Sequence, residues 1–207
     1  MNASTPLPAR PPWVVVRLAA EDDLPAFLAL AAEVEHWFGP MVEEPGFHDA
    51  VRAHIAAGMA LLAEIPGTPA TPAAPARGPV PAPADSPVPV GGLLFGAEPP
   101  VYDIHWLVVA ERARGARVGR ALVDDAVRRY VHAPGSLEVI TFGADHPGAH
   151  ESGARTFYER LGFTPADPEP PGPEGGSRQR YRRPAPQAAI AFNANGGDSV
   201  GAVQRRL

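Results

Sequence analysis

The segment that decides the fold reads VYDIHWLVV at residues 101–109, AERARGARVGR at 110–120 and ALVDDAV at 121–127. Its first part is rich in β-branched and aromatic residues, which is typical of a strand. From residue 118 onward, apolar residues recur at the spacing of one buried helix face, at Val118, Leu122, Ala126, Val127 and Tyr130. The segment therefore predicts a strand, a tight turn and a helix.

The predicted turn has the properties of an anion-binding site. Gly115 and Gly119 let the backbone turn sharply and leave amide N–H groups uncovered where the helix begins. Four arginines lie in or beside this turn, namely Arg112, Arg114, Arg117 and Arg120. The formal net charge of the chain is -5, so the local positive field opposes the global one. We therefore expect a ligand that carries phosphate.

Two common phosphate motifs do not account for this turn. A Walker A loop needs Gly-Lys followed by Ser or Thr, and the dinucleotide fingerprint needs glycines at G-x-G-x-x-G spacing. Residues 114–119 instead resemble the pyrophosphate loop of the GNAT family of N-acetyltransferases, which reads Gln or Arg, two residues, Gly, one residue, then Gly or Ala. Arg117 stands where that pattern has its first glycine. An arginine at this position can itself contact a phosphate.

A second motif follows in the order and at the distance that the family has. Residues 154–163 read ARTFYERLGF, which resembles the family's helix with a tyrosine that ends in Gly-Phe. The resemblance covers about Val14 to Arg183 and is specific between Leu107 and Phe163. It implies an α/β protein with the GNAT fold, in which helices flank a mixed central sheet that is splayed at the cofactor strand.

The resemblance also implies acetyl-CoA as the cosubstrate. Its pyrophosphate is expected on the turn and its pantetheine arm along the splayed strand. The implied cofactor-binding residues are Leu107, Val108, Val109, Arg114, Gly115, Ala116, Arg117, Val118, Gly119, Arg120 and Phe157. Because the chain has no cysteine, a cysteinyl intermediate is excluded. We expect direct acetyl transfer to a primary amine of a small molecule or peptide.

The chemistry suggests three candidate catalytic residues. Tyr158 matches the tyrosine that commonly protonates the departing sulfur in the family, and a backbone N–H near Val109 would polarise the thioester carbonyl. A phenol with a pKa near 10 can protonate a thiolate at a cost of about 1 to 2 kcal/mol. The alternative is that Tyr158 is structural, with its hydroxyl satisfied. Asp103 and His105 are candidates for the general base, because an alternating strand places both on the face of Leu107.

The acceptor is expected to contact the connection between the two N-terminal helices, which reads WFGPMVEEPG at 37–46. Trp37, Phe38, Glu43 and Glu44 place aromatic and acidic groups side by side, which suits a cationic amine with an apolar body. The alternative is an ordinary helix connection whose aromatic rings fill the core.

A second group of polar residues follows later in the sequence and consists of Asp145, His146, His150 and Glu151. Pro147 and Gly148 favour a loop there, which would not align the histidines, so we expect no metal site.

The 27 prolines divide the chain. They predict a disordered N-terminus at 1–12, a GNAT domain at 13–183 with a disordered insertion at 65–88, and a flexible tail at 184–207, in which 188–192 could add a strand. Further strands are expected at 13–18, 60–65, 88–95 and 137–142, and 177–183 closes a last hairpin. Helices are expected at 24–31 and 47–57.

The composition of the chain also limits which functions are expected. The acidic balance and a pI near 5.8 offer no basic face for nucleic acid outside the arginine-rich turn. Because the sequence has no membrane-spanning apolar run and no secretory signal, we expect a cytoplasmic protein without membrane contact, as a monomer or homodimer.

Two alternatives to the acetyltransferase function remain. One is a catalytically idle acyl-CoA-binding or sensor module of the same fold, and the other is an acyltransferase that uses a longer acyl-CoA.

Overall fold

The computed structural model describes residues 13–67, 86–172 and 175–185. The predictions of disorder at 1–12, of disorder in residues 68–85 of the insertion, and of a flexible tail from 186 onward lie outside these ranges, as does the possible strand at 188–192.

Seven strands of the described residues form one open sheet. They are β1 (Val15–Leu18), β2 (Ala60–Ile65), β3 (Val88–Glu98), β4 (Val101–Val109), β5 (Ser136–Phe142), β6 (Thr164–Glu169) and β7 (Arg178–Pro184). Their spatial order is β1-β2-β3-β4-β5-β7-β6. All neighbours are antiparallel except β4 and β5, which are parallel. This mixed sheet confirms the predicted fold class.

In the part of the chain that the structure describes, six α-helices flank the sheet: α1 (Leu24–Ala32), α2 (Glu35–Phe38), α3 (Pro45–Ala56), α4 (Val118–Tyr130), α5 (Pro147–Glu151) and α6 (Ala154–Arg160). The sequence did not predict α2. The prediction of a loop at 145–151 is wrong, because Pro147 occupies the first turn of α5. Proline is tolerated there, since the first N–H groups of a helix have no intrahelical acceptor.

The core lies on both sides of the sheet. On one side, Val118, Leu122 and Ala126 of α4 are buried against the sheet, with Tyr158 of α6 in the same cluster. On the other side, α1 and α3 bury Phe27 and Val51. The helix face predicted from residues 118–130 is therefore the face that packs on the sheet.

A β-bulge in β4 changes which side chains share a face. Leu94 pairs with Trp106 and Phe95 with Ile104, so that His105 is an extra residue. Beyond it, Leu107 packs on the α4 side with Ile104, whereas Asp103 alternates to the α3 side. The prediction that Asp103 and His105 share the face of Leu107 is wrong, because one inserted residue reverses the alternation.

The 65–88 insertion joins two strands that are already paired. Ile65 of β2 lies opposite Val88 of β3, so the two ends of the insertion are about 5 Å apart. Replacing 68–86 by a short turn is therefore expected to change the free energy of unfolding by less than about 2 kcal/mol, since loop closure depends weakly on length. Urea unfolding measures this, and a larger loss would mean that the segment packs on the domain.

Glu138 on β5 is 5% exposed and accepts hydrogen bonds from Ser136, Arg180 and Arg182 at 2.7–2.9 Å. Burial would raise the pKa of the Glu138 carboxyl, but these donors outweigh burial and hold the pKa below the ordinary value of 4.5. The stability that it contributes is present above about pH 4.5 and is lost as the pH falls through the folded-state pKa.

Glu138→Gln should therefore lower the free energy of unfolding by about 1 to 3 kcal/mol at pH 7. The difference from the wild type should shrink in urea titrations as the pH is lowered from 4.5 through the folded-state pKa of Glu138, because the unfolded state takes up its proton first. A difference that does not change with pH would mean that the charge of Glu138 does not contribute.

Candidate active site

A cleft opens where β4 and β5 separate. Their parallel ladder ends at the pair Ile104 and Val139, while β4 stays paired with β3 as far as Val109. The Ala110 N–H donates to Val90 of β3. Because N–H directions alternate along a strand, the N–H groups of Leu107 and Val109 point away from β3 and into the cleft.

The cleft widens into a cavity of about 660 Å³. Residues from four regions line it: Val34, Trp37 and Phe38 near α2; Leu107, Val108, Val109 and Phe142 from the strands; Ala113, Arg114, Gly115, Arg117, Val118, Gly119 and Arg120 from the turn and α4; and Ser152, Gly153, Ala154, Thr156, Phe157, Tyr158, Arg160 and Leu161 around α6. The turn and the tyrosine helix, which are far apart in sequence, therefore enclose one cavity.

The turn presents a row of backbone donors to this cavity. Within the described residues, no protein acceptor is found for the amides of Gly115, Arg117, Val118, Gly119 and Arg120. Gly115 has a φ of 75°, which costs glycine little. The ring of Phe157 lies so close to Gly119 that an added Cβ would be 3.0 Å from two ring carbons. Glycine at 119 therefore lets the helix terminus and α6 approach each other.

Arg117 takes the backbone conformation that glycine would favour. It is the N-terminal cap of α4 and has a φ of 63° and a ψ of 13°. The left-handed region costs a non-glycine residue roughly 1 to 2 kcal/mol. Thus the arginine at the family's glycine position keeps the sharp turn and adds a cationic side chain to the cavity wall.

Positive charge is concentrated around the cavity. Four arginines line it, namely Arg114, Arg117, Arg120 and Arg160, and no aspartate or glutamate does so in the part of the chain that the structure describes. Two of them are held in place by neighbours: the Arg114 guanidinium lies 5.0 Å from the centre of the Trp37 ring, and Arg120 donates to the carbonyl of Arg160 at 3.1 Å. Together with the free amides, this arrangement suits a polyphosphate.

Tyr158 lies at the inner part of the cavity wall and is 5% exposed. Its ring makes edge contacts with Phe157 and Phe163 at 5.0 and 5.5 Å between centroids. No hydrogen-bond partner for its hydroxyl exists in residues 13–67, 86–172 and 175–185. Burial raises the pKa of the Tyr158 phenol well above its ordinary value of 10, which keeps the hydroxyl protonated at neutral pH.

Most of the residues predicted from the sequence line the cavity, but five do not. Ala116 packs against the core beneath the turn. Glu43 and Glu44 are exposed and are not part of the wall. Asp103 is four residues upstream of Leu107, about 13 Å along the strand. His105 Nδ1 lies 2.8 Å from His54 Nε2 of α3. The two proposed bases are therefore not brought to the cavity.

Several residues of the cavity wall carry no signal in the sequence. Arg160 belongs to the tyrosine helix, and its spacing of two from Tyr158 gave no signal for a phosphate contact. Phe142 ends β5 and stacks on Phe38 at 4.7 Å between ring centroids. A contact between two residues that are 104 positions apart cannot be predicted from sequence periodicity.

Within the described residues, no helix is both long enough and apolar enough to span a membrane.

Comparison with known proteins agrees with this geometry. The sequence model of the Acetyltransferase (GNAT) domain matches residues 85–165, which include β4, the turn and the tyrosine helix. The predicted resemblance to the GNAT family is thereby confirmed. A search of curated proteins finds no match.

Solved structures of the same fold extend this comparison to most of the chain. A GNAT-family protein from Desulfovibrio desulfuricans is 21% identical, with a TM-score of 0.57 over 84% of this chain and 99% of that one. The yncA protein of Salmonella typhimurium, solved with its cofactor acetyl-CoA, is 15% identical, with a TM-score of 0.56 over 85% and 96%. The ribosomal-protein-alanine N-acetyltransferase of Brucella melitensis is 20% identical, with a TM-score of 0.53 over 82% and 98%.

Proposed function

We propose that this chain, which carries a GNAT acetyltransferase domain, is an acetyl-CoA-dependent N-acetyltransferase that transfers the acetyl group directly to a primary amine. One observation carries the proposal: a single cavity joins the free amides and arginines of the turn to the buried side chain of Tyr158 beside an open strand. Such a cavity can hold a long ligand that has phosphate at one end and a reactive group at the other. The structure of yncA with acetyl-CoA supports the choice of this ligand.

The residues of the cavity fit acetyl-CoA. The free amides of Gly115 and of residues 117–120 and the four arginines would bind the pyrophosphate. The N–H groups of Leu107 and Val109 face the cleft, where they could hydrogen-bond to the amides of the pantetheine arm or to the thioester carbonyl. Phe157 would contact the cofactor from α6. The CoA part of the ligand supplies a thiolate leaving group, and the protein supplies its orientation.

The reaction then needs few groups from the protein. The neutral amine attacks the thioester carbon, a C–N bond forms and the C–S bond breaks. Tyr158 would donate its proton to the departing sulfur. The proton that the amine loses would return through water to the phenolate of Tyr158, so that the products are an acetamide and CoA thiol. A raised phenol pKa weakens an acid, but the same burial makes the thiolate a stronger base.

Two measurements on the wild-type protein test this proposal. Calorimetry should detect acetyl-CoA binding, and release of CoA thiol should depend on an added amine from a panel of peptides, polyamines and aminoglycosides. Binding without turnover of any amine would favour an idle acyl-CoA-binding module. Faster turnover with a longer acyl-CoA would identify a different acyl donor. Because the chain has no lysine, any acetyl-lysine that appears in the assay must come from the added substrate.

A further inference from the structure

Glu151 places a carboxylate at the rim of the cavity. It is the last residue of α5 and precedes Ser152 and Gly153, which both line the cavity. Its Oε2 atom accepts a hydrogen bond from the indole N–H of Trp37 at 3.0 Å. Trp37 lines the same cavity from α2, although it lies 114 positions away in sequence. The hydrogen bond therefore holds the carboxylate beside the part of the wall that α2 contributes.

Within the described residues, the charge of this carboxylate is not neutralised. Glu151 forms no ion pair there, and the indole N–H that it accepts is a neutral donor. Glu33 is another carboxylate close to the turn, and it forms an ion pair with Arg112 at 3.2 Å. The Glu151 carboxylate is exposed and has a second oxygen available, so it can bind a cation that the described chain does not supply.

Trp37 keeps Glu151 apart from the arginines of the turn. The Arg114 guanidinium lies 5.0 Å from the centre of the indole ring, while the Glu151 carboxylate is hydrogen-bonded to the N–H of that ring. Because the indole contacts both charged groups, it takes the place of a direct ion pair between them. Each charge is thereby left for a ligand, Arg114 for a phosphate and Glu151 for a cationic group.

An apolar surface lies next to this carboxylate. Phe38 follows Trp37 in α2, is 38% exposed and stacks on Phe142 at 4.7 Å between ring centroids. Both rings line the cavity. A hydrocarbon chain can pack on the exposed ring while a charged group at its end reaches Glu151. The phosphates of bound acetyl-CoA would offset the arginines, so that a cation is not repelled from the cavity.

From these contacts we infer that Glu151 selects the acceptor by binding a second cationic group of a diamine or polyamine. This inference rests on the proposed function. The group at Glu151 is not the amine that reacts, because a carboxylate stabilises the ammonium form and only a neutral amine attacks the thioester. The acceptor therefore keeps one ammonium group on Glu151, and its other amine loses a proton to water and is acetylated. Trp37 is a positioning residue for Glu151.

Two acceptors that differ by one charge test the inference at saturating acetyl-CoA. Cadaverine has an amine at each end of a five-carbon chain, whereas pentylamine has only one. In the wild type, kcat/KM for cadaverine should exceed that for pentylamine by at least about 10-fold, the effect of one charge-assisted hydrogen bond. Added salt should reduce this ratio, because ions screen an exposed charge pair.

Glu151→Gln keeps an oxygen for the Trp37 N–H but removes the charge. The ratio of the two kcat/KM values should fall to about 2, the factor that two identical amines give without any charge pair. Glu43→Gln makes the same change at an exposed carboxylate outside the cavity wall and should leave the ratio unaltered. Trp37→Phe keeps a ring for Arg114 but removes the N–H, and it should lower the ratio by about 3-fold without changing the Kd of acetyl-CoA.

The possible failures are distinguishable. Equal kcat/KM for the two amines in the wild type, or an unaltered ratio in Glu151→Gln, would overturn the inference and leave the proposed function standing. An equal loss with both amines in Glu151→Gln would show that Glu151 only supports the fold, and the inference would again be wrong. A wild-type protein that binds acetyl-CoA but acetylates no amine would overturn both the inference and the proposed function.

Discussion

Gly119→Asp is expected to weaken acetyl-CoA binding by at least about 100-fold. A Cβ at this position would lie 3.0 Å from two carbons of the Phe157 ring, and the new carboxylate would stand beside the free amides of the turn. Each charge-assisted hydrogen bond to a phosphate is worth about 1.5 to 3 kcal/mol. The loss of two of them accounts for the expected factor. Isothermal titration calorimetry with acetyl-CoA measures the change.

Two further variants separate the possible causes of this loss. Gly119→Ala introduces the Cβ without the charge and should cost about 10-fold in affinity. Gly46→Asp makes the same charge change in the first turn of α3, where an added Cβ meets nothing within 4 Å, and should leave the affinity unaltered. If folded Gly119→Asp bound acetyl-CoA as tightly as the wild type, the assignment of the turn to the phosphates would be wrong.

Tyr158→Phe is expected to lower kcat for acetyl transfer by roughly 10- to 10³-fold, with little change in the Kd of acetyl-CoA. The substitution removes the proton donor but keeps the ring and its contacts with Phe157 and Phe163. Since the hydroxyl has no partner among the described residues, the free energy of unfolding should change by less than about 0.5 kcal/mol. Steady-state kinetics at saturating acetyl-CoA measure the effect.

Tyr102→Phe is the matched control for Tyr158→Phe. Tyr102 is also buried, but its hydroxyl donates to the Ala133 carbonyl and accepts the Ala133 N–H, both at 3.2 Å, and it does not line the cavity. Its loss should lower the free energy of unfolding by about 1 kcal/mol and leave kcat unaltered. Equal kcat for wild type and Tyr158→Phe would assign the acid role to water and not to this tyrosine.

The local elements of the fold were largely predictable from the sequence. The face of α4 that packs on the sheet follows from residues within four positions of one another. Residues 114–119 and 154–163 carry the family resemblance in the same way, because each motif acts through its own backbone. Even Arg117, which departs from the motif, keeps the left-handed conformation that the turn needs.

The composition of the cavity was only partly predictable. The bulge at His105 moves Asp103 away from the face of Leu107, and it is detectable only from the pairing of β3 with β4. Glu43 and Glu44 are close to Phe38 in sequence, yet the chain turns before α3 and leaves them in solvent. As a result, neither of these carboxylates belongs to the cavity wall.

The sequence by itself thus determined where a strand, an anion-binding turn and a tyrosine helix occur, since hydrogen bonds and buried faces of that kind involve neighbours along the chain. Only the tertiary structure decided that the splay between β4 and β5 opens beside Tyr158, that Phe38 stacks on Phe142, and that no carboxylate among the described residues lines the cavity. The physical reason is that strand register and the packing of α2 on β5 join residues about a hundred positions apart. A single inserted residue in one strand is enough to exchange which side chains meet.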